Sequence, residues 1–296
     1  MELLELDRDW VTAHLPERSP RAHKGTFGRL LVLAGSLEYA GAALLCGLAA
    51  ARSGAGLVCL AAPESIALRL MGLVPELIAM PLAEEAVGLI SPGGWRHVAT
   101  ESAAYDALVI GPGLGHQSGT LRRTRNLIGE VARPAVIDAD GLNALAESDH
   151  WWRSQPAPLI LTPHPGEFAR LLHGAAPPDE DEARATAAAQ AAERWGQVVV
   201  LKGANTIVAA PDGRLRRSPV ATPALATAGS GDVLSGAIGA MLAAGLSPFE
   251  AAGCGVALHG VAGLLAAERI GEAGVIARDL AQLLPQARRS FGPQPG

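Results

Sequence analysis

Six short apolar runs restrict what this chain can fold into more than any other feature. Arg29–Ala34, Leu57–Ala61, Ala107–Ile110, Ala135–Ile137, Leu159–Leu161 and Val198–Leu201 lack the alternation of apolar and polar residues that a strand with one wet face requires. Strands of this kind are apolar on both faces because both faces are covered, as in a parallel sheet between two layers of helices. Helical patterns at Ala42–Arg52, Glu180–Trp195, Val233–Ala244 and Pro248–Ala267 supply that cover. Thr206–Ala210 and Leu215–Ser218, joined through Pro211-Asp212-Gly213, read as a hairpin at a sheet edge. No proline- or serine-rich linker divides the chain. The expectation is one three-layer α/β domain over residues 1–291, with a mostly parallel central sheet, followed by a frayed tail at 292–296.

With 49% hydrophobic and 18% charged residues in 296, the chain can bury a sizeable core and lies far from the disordered class. A net charge of −5 argues against a nucleic-acid partner, which calls for a basic face. Cys46, Cys59 and Cys254 sit inside apolar stretches with no CxxC spacing, so they read as buried thiols of a reducing, cytoplasmic compartment. Met1–Trp10 is acidic and amphipathic, unlike a secretory leader. Phe249–Ala267 is apolar but carries Glu250, His259 and several glycines, which makes it a core helix and no membrane span.

Ligands of such sheets gather at the carboxyl ends of the strands, and the chain places its unusual residues there. Thr227-Ala228-Gly229-Ser230-Gly231-Asp232 opens a helix whose free N–H groups and positive dipole end suit an anion. A carboxylate is out of place in a pure phosphate cradle. Asp232 fits instead as a base taking a proton from a hydroxyl beside the phosphate. Gly111-Pro112-Gly113-Leu114-Gly115 is a poor dinucleotide fingerprint and reads as a turn that lets substrate lie against main chain. Asp138-Ala139-Asp140-Gly141-Leu142-Asn143 offers two carboxylates for water-mediated Mg²⁺ or a hydroxyl, with Asp140 or Asn143 expected to cap a helix. In Thr162-Pro163-His164-Pro165-Gly166-Glu167, two prolines fix the backbone around His164. Its ring can then donate to a phosphate or carbonyl, while Glu167 opens the next helix.

Lys202-Gly203-Ala204-Asn205-Thr206 leaves a buried strand as a cation followed by polar residues suited to phosphate or ribose. Lys24–Gly28, Gly35-Ser36 and Gly41-Ala42-Ala43 read as a second anion-friendly edge, where the small residues Gly41, Ala42 and Ala43 let a bulky ligand lie over the helix start. His259 sits on an apolar helix face as a core histidine, and the remaining histidines lack zinc spacing.

Taken in order, KGTFG, GAA, GPGLG, DADGLN, LTPHPGE, LKGANT and AGSGD resemble the ADP/ATP-dependent NAD(P)H-hydrate dehydratases of the ribokinase-like superfamily, from about Lys24 to Ala267. His164 and Glu167 stand where small-molecule kinases of that superfamily typically carry Asn-x-x-Glu. The resemblance implies a metabolite-repair lyase that returns the S-epimer of hydrated NADH or NADPH to the reduced cofactor while hydrolysing a nucleotide. It implies Asp232 as the catalytic residue, with Ala43, Gly113, His164 and Asp232 contacting the hydrate. Lys202, Gly203, Ala204, Asn205, Thr206 and Gly231 would bind the nucleotide. Mg²⁺ would be held by phosphates, with Glu167 or Asp138 reaching it through water.

An Ala-, Arg- and Gly-rich composition suits a bacterial member and hence ADP, giving AMP and phosphate. Only a short segment precedes Lys24, so the epimerase domain fused to some relatives is expected to be missing. Family analogy implies a homo-oligomer, a tetramer, with small-molecule substrates and no membrane. The rivals are a kinase of the same superfamily acting on a vitamin-precursor alcohol, a non-catalytic nucleotide sensor, and a Rossmann oxidoreductase. The kinase would leave a stable phosphorylated product. The sensor gains nothing from a carboxylate beside phosphate, and the oxidoreductase lacks GxGxxG at its first strand–helix turn.

Overall fold

The computed structural model describes residues 2–177 and 179–292, so the tail from residue 293 onward lies outside the described residues. The strands are β1 (Leu4–Glu5), β2 (Arg29–Leu33), β3 (Leu57–Pro63), β4 (Ile78–Leu82), β5 (Glu84–Ala86), β6 (Leu89–Ile90), β7 (Ala107–Ile110), β8 (Ala135–Ile137), β9 (Leu159–Leu161), β10 (Val198–Leu201), β11 (Ile207–Ala209) and β12 (Leu215–Arg217). The helices are α1 (Arg8–His14), α2 (Ala40–Ser53), α3 (Glu64–Leu70), α4 (Pro92–Glu101), α5 (Ser118–Glu130), α6 (Asp140–Ala146), α7 (Pro165–Leu172), α8 (Asp181–Trp195), α9 (Ser230–Ala243), α10 (Pro248–Ile270) and α11 (Ala277–Ser290).

One ten-stranded sheet runs in the order β1-β12-β11-β10-β9-β8-β7-β2-β3-β4. From β10 to β4 every pairing is parallel, and β11 turns the direction. All six apolar runs are central strands. Period-two alternation sends their side chains to opposite sides: Leu30, Val32, Val58 and Leu60 join α2, α9, α10 and α11 in one core. Leu31, Leu33, Cys59 and Ala61 join α4 to α8 in the other. The architecture is therefore three-layer α/β, as expected.

Two features differ from the sequence reading. The β11–β12 hairpin is not the sheet edge, because Leu4 and Glu5 pair parallel to Arg216 and Arg217 and cover it. At the opposite edge β4 pairs with β3, an edge position that tolerates its Pro81.

α10 has the length and hydropathy to cross a membrane, yet 78% of its apolar window is buried inside the protein. Its Phe249, Leu258 and His259 are core residues packed among α1, α9 and α11. Cys46, Cys59 and Cys254 are free and buried.

α2 and α9 approach closely where small residues face each other. A Cβ on Gly236 would stand 2.2 Å from the Cys46 carbonyl oxygen and 3.0 Å from Ala49 Cβ. Backbone cannot yield there as a flexible side chain would. Gly236→Ala should therefore cost about 1–3 kcal/mol of stability, read as a lower urea midpoint at unchanged slope.

Candidate active site

The carboxyl ends of β8, β9 and β10 lie side by side, and each strand continues for one residue beyond its regular ladder. Thr162 N–H donates to the Ile137 carbonyl at 3.1 Å, and Lys202 N–H donates to the Pro163 carbonyl at 2.8 Å. This register brings Asp138 and Lys202 together. Lys202 Nζ lies 2.8 Å from Asp138 Oδ1 and 3.6 Å from Glu167 Oε2. Asp138 is fully buried, and its second oxygen accepts from Ser235 Oγ at 2.8 Å. Ser235 follows Asp232 by three residues, so one face of α9 presents both to the same cluster.

α9 begins at Gly229, whose φ of 86° is the left-handed conformation that glycine adopts freely. No side chain caps this helix start; Ser230 N–H donates to the Thr227 carbonyl at 3.2 Å, which leaves the N–H groups of Gly231 and Asp232 for a ligand. A Cβ on Gly231 would come within 3.3 Å of Lys202 Nζ, so glycine keeps the space above that ammonium open. Burial pushes the Asp232 carboxyl up to about 7, with the negative charge of Asp138 adding to it and Lys202 opposing. Burial acts to lower the Lys202 ammonium, but Asp138 and Glu167 outweigh it and its pKa is raised. The result is a carboxyl that can exchange its proton near neutral pH, held beside a permanently charged lysine.

His164 is the N-cap of α7, a position usually filled by Ser, Thr, Asp or Asn. Its Nδ1 accepts from Gly166 N–H at 3.0 Å, and Glu167 Oε2 accepts from His164 N–H at 2.8 Å. An accepting Nδ1 places the proton of a neutral ring on Nε2, which lies 3.6 Å from Glu167 Oε1 on a half-exposed side chain. Glu167 therefore caps the helix as the sequence suggested and, in addition, lies beside Lys202.

Neither Asp140 nor Asn143 caps α6, contrary to the sequence reading. The N-cap is Ala139, with φ 49° and ψ −114°, a strained conformation for alanine. Asp140 Oδ2 instead accepts from Gly115 N–H at 2.7 Å and ties the GPGLG turn to this helix.

Gly113 packs against the start of α2, where a Cβ would lie 2.6 Å from Tyr39 Cβ. Ala43 is fully buried and faces Gly35, so exposure at this helix start falls to Gly41 and Tyr39. In the Lys202–Thr206 loop, Gly203 and Ala204 are exposed. Asn205 donates to Asp181 Oδ2 at 2.9 Å, and Thr206 Oγ1 donates to the Gly203 carbonyl at 3.0 Å.

Arg184 braces the loop from below. It is 4% exposed and donates to the carbonyls of Leu201 and Ala204. Sequence reasoning missed Arg184 because it sits in an Ala-rich helix that reads as a plain surface. His259 is the satisfied core residue anticipated, with Nε2 3.0 Å from Ser230 Oγ. Burial lowers its pKa to about 4.

The family model described as NAD(P)H-hydrate dehydratase matches residues 30–286. The chain belongs to the NAD(P)H-hydrate dehydratase family. It is 41% identical over 282 residues to the bifunctional NAD(P)H-hydrate repair enzyme Nnr of Moorella thermoacetica, covering 95% of this chain and 53% of that protein. The corresponding Escherichia coli protein is 39% identical over 268 residues, covering 90% and 48%. The chain thus spans about half the length of these curated relatives.

Among solved structures, the ADP/ATP-dependent NAD(P)H-hydrate dehydratase of Bacillus subtilis, co-crystallized with ATP/Mg²⁺, superposes with a TM-score of 0.84 at 33% identity. That alignment covers 99% of this chain and 100% of the other. A ribokinase-like superfamily protein of Enterococcus faecalis, 23% identical with a TM-score of 0.80 over 99% and 97% of the two chains, shares the fold. The fold is ribokinase-like.

Proposed function

We propose that residues 1–291 act as one catalytic domain that dehydrates the S-epimer of NADHX and NADPHX, with an adenine nucleotide as co-substrate. ADP, yielding AMP and phosphate, is the nucleotide we assign. The observation that carries this reading is Asp232, a half-buried carboxyl whose pKa is raised to about 7 at the uncapped start of α9. Lys202, Gly203, Ala204, Asn205, Thr206 and Gly231 take the nucleotide. Asn205 reaches it by exchanging its bond to Asp181. His164 offers its Nε2 proton to the dinucleotide, and Gly113 lines the same surface. Ala43 contributes by being small enough to let the first turn of α2 lie close.

Asp232 accepts the hydroxyl proton of the hydrate as that oxygen attacks the terminal phosphoryl group, releasing AMP. The N–H groups at the start of α9 stabilise the charge that develops. The ring nitrogen's lone pair then expels phosphate, and loss of a ring proton restores the diene. Hard oxygen donors at Asp138 and Glu167 suit Mg²⁺ held by the phosphates and reached through water. When bound, that ion neutralises phosphate charge. Among the described residues no three His, Cys, Asp or Glu side chains form a direct metal site. We further assign a cytoplasmic homo-oligomer, a tetramer by analogy with the family.

Purified protein incubated with NADHX, Mg²⁺ and either ADP or ATP should regain the absorbance of reduced nicotinamide only when nucleotide is present. ADP should be the better donor. A stable phosphorylated product, or no recovery with either nucleotide, would overturn the reading in favour of a kinase.

A further inference from the structure

We infer that the cavity between α6 and α7 receives a phosphate of the hydrated dinucleotide, gripped by Arg170 with His116 and His173. The inference rests on the dehydratase reading above and extends it to the distal half of the substrate. The cavity has a volume of about 520 Å³ and is lined by His116, Asn143, Glu147, Arg170 and His173 among others. That is room for a phosphorylated ribose, but small for a whole dinucleotide.

Two contacts join the cavity to the catalytic cluster. On the α6 side, His116 Nδ1 lies 3.3 Å from Asp140 Oδ1, and Asn143 Nδ2 donates to the same oxygen at 3.2 Å. Asp140 is close enough to Asp232 for its charge to help raise that carboxyl's pKa. On the α7 side, Arg170 Nε donates to the Gly166 carbonyl at 3.3 Å. A Cβ on Gly166 would lie 2.9 Å from the His164 ring and 4.0 Å from the Arg170 guanidinium. A ligand touching His164 therefore has Arg170 as its next neighbour.

The cation that favours an anion here is Arg170. Of the carboxylates around the cavity, Glu147 is paired with Arg125 at 3.2 Å, and Asp149 and Asp140 lie 3.5 and 3.3 Å from the rings of His173 and His116. Among the described residues, no carboxylate stands within ion-pair distance of Arg170. Its guanidinium is a planar fork of N–H donors that matches phosphate geometry, with Nε bonded to the Gly166 carbonyl and the residue lining the cavity.

The test uses the full chain and begins with the unsubstituted protein turning over NADHX and NADPHX with ADP and Mg²⁺. Failure there overturns the dehydratase reading, and the cavity assignment with it. Once turnover is established, Arg170→Ala should raise the KM for NADPHX about tenfold or more, with kcat and the KM for ADP unchanged. A rise confined to NADPHX assigns the ribose 2′-phosphate to the cavity. An equal rise for both hydrates assigns the bridging pyrophosphate. His173→Asn, chosen because asparagine tolerates the φ of 51° at that position, should move the same KM in the same direction. Unchanged KM values for both hydrates in folded Arg170→Ala would overturn the inference and leave the dehydratase reading standing.

Discussion

Asp232→Asn should cut turnover about 10³-fold or more while leaving nucleotide affinity nearly intact. The amide keeps the shape and burial of the carboxyl but cannot accept a proton. The same substitution should make the fold more stable above neutral pH. In the unfolded chain this carboxyl ionises near the ordinary value of about 3.9, whereas in the folded protein burial and Asp138 raise it to about 7. The stability associated with its neutral form is therefore full below pH of about 4 and is lost as pH rises through about 7. At pH 8 the ionised group costs the fold on the order of 4 kcal/mol, a cost that asparagine escapes. Urea midpoints of the two proteins should converge at about pH 4, separate progressively between pH 4 and 7, and differ most at pH 8. On the proposed dehydration, kcat/KM of the unsubstituted protein should rise with pH to a plateau just above 7. Comparable turnover in Asp232→Asn, or a parent profile flat between pH 5 and 8, would contradict Asp232 as the base.

Lys202→Met should cost about 3–5 kcal/mol of stability at pH 8 and abolish nucleotide turnover. Its ammonium sits 2.8 Å from Asp138 and 3.6 Å from Glu167, and it also holds down the proton affinity of Asp232. Methionine would fill the space and leave the carboxylates facing one another without compensation. The Lys202 pKa is raised in the folded protein, so its stabilising contribution is lost only as pH climbs through that raised value. At pH 8 its whole contribution is still present to be removed. The deficit should shrink at pH 6, where Asp232 in the variant becomes neutral and relieves the repulsion. A midpoint unchanged by the substitution at pH 8 would show that the cluster does not need its cation.

The central sheet was legible because being apolar on two faces is a property of consecutive residues, and six strands announced themselves that way. β1 was not, since two residues, Leu4 and Glu5, carry no period, and their pairing with the hairpin is a tertiary event. Pro81 hid β4 for a local reason that an edge position removes. At the site, Asp232, His164, Lys202 and Glu167 stood out because each is chemically out of place at a strand or helix end. Ser235 and Arg184 did not, because a serine inside an apolar helix and an arginine inside an alanine-rich one look ordinary. Only burial reveals that Ser235 holds Asp138 and that Arg184 supports the Lys202–Thr206 loop. The Asp140 expectation failed because a short acidic residue at a helix start usually bonds its own backbone, whereas here Gly115 competes for it from another turn.

The two ends of the described chain hold each other. Arg8 donates to the carbonyls of Ser290 and Gly292, and Thr12 Oγ1 donates to the Phe291 carbonyl at 2.9 Å. These contacts grip the last turn of α11, while its first residue, Ala277, lies 3.1 Å from where a Cβ on Gly229 would be. With 14 residues, α11 spans about 20 Å between that clasp and the turn that opens α9, with Pro285 inside it. The N-terminal helix and the turn that opens α9 are thus both in contact with α11, one at each of its ends.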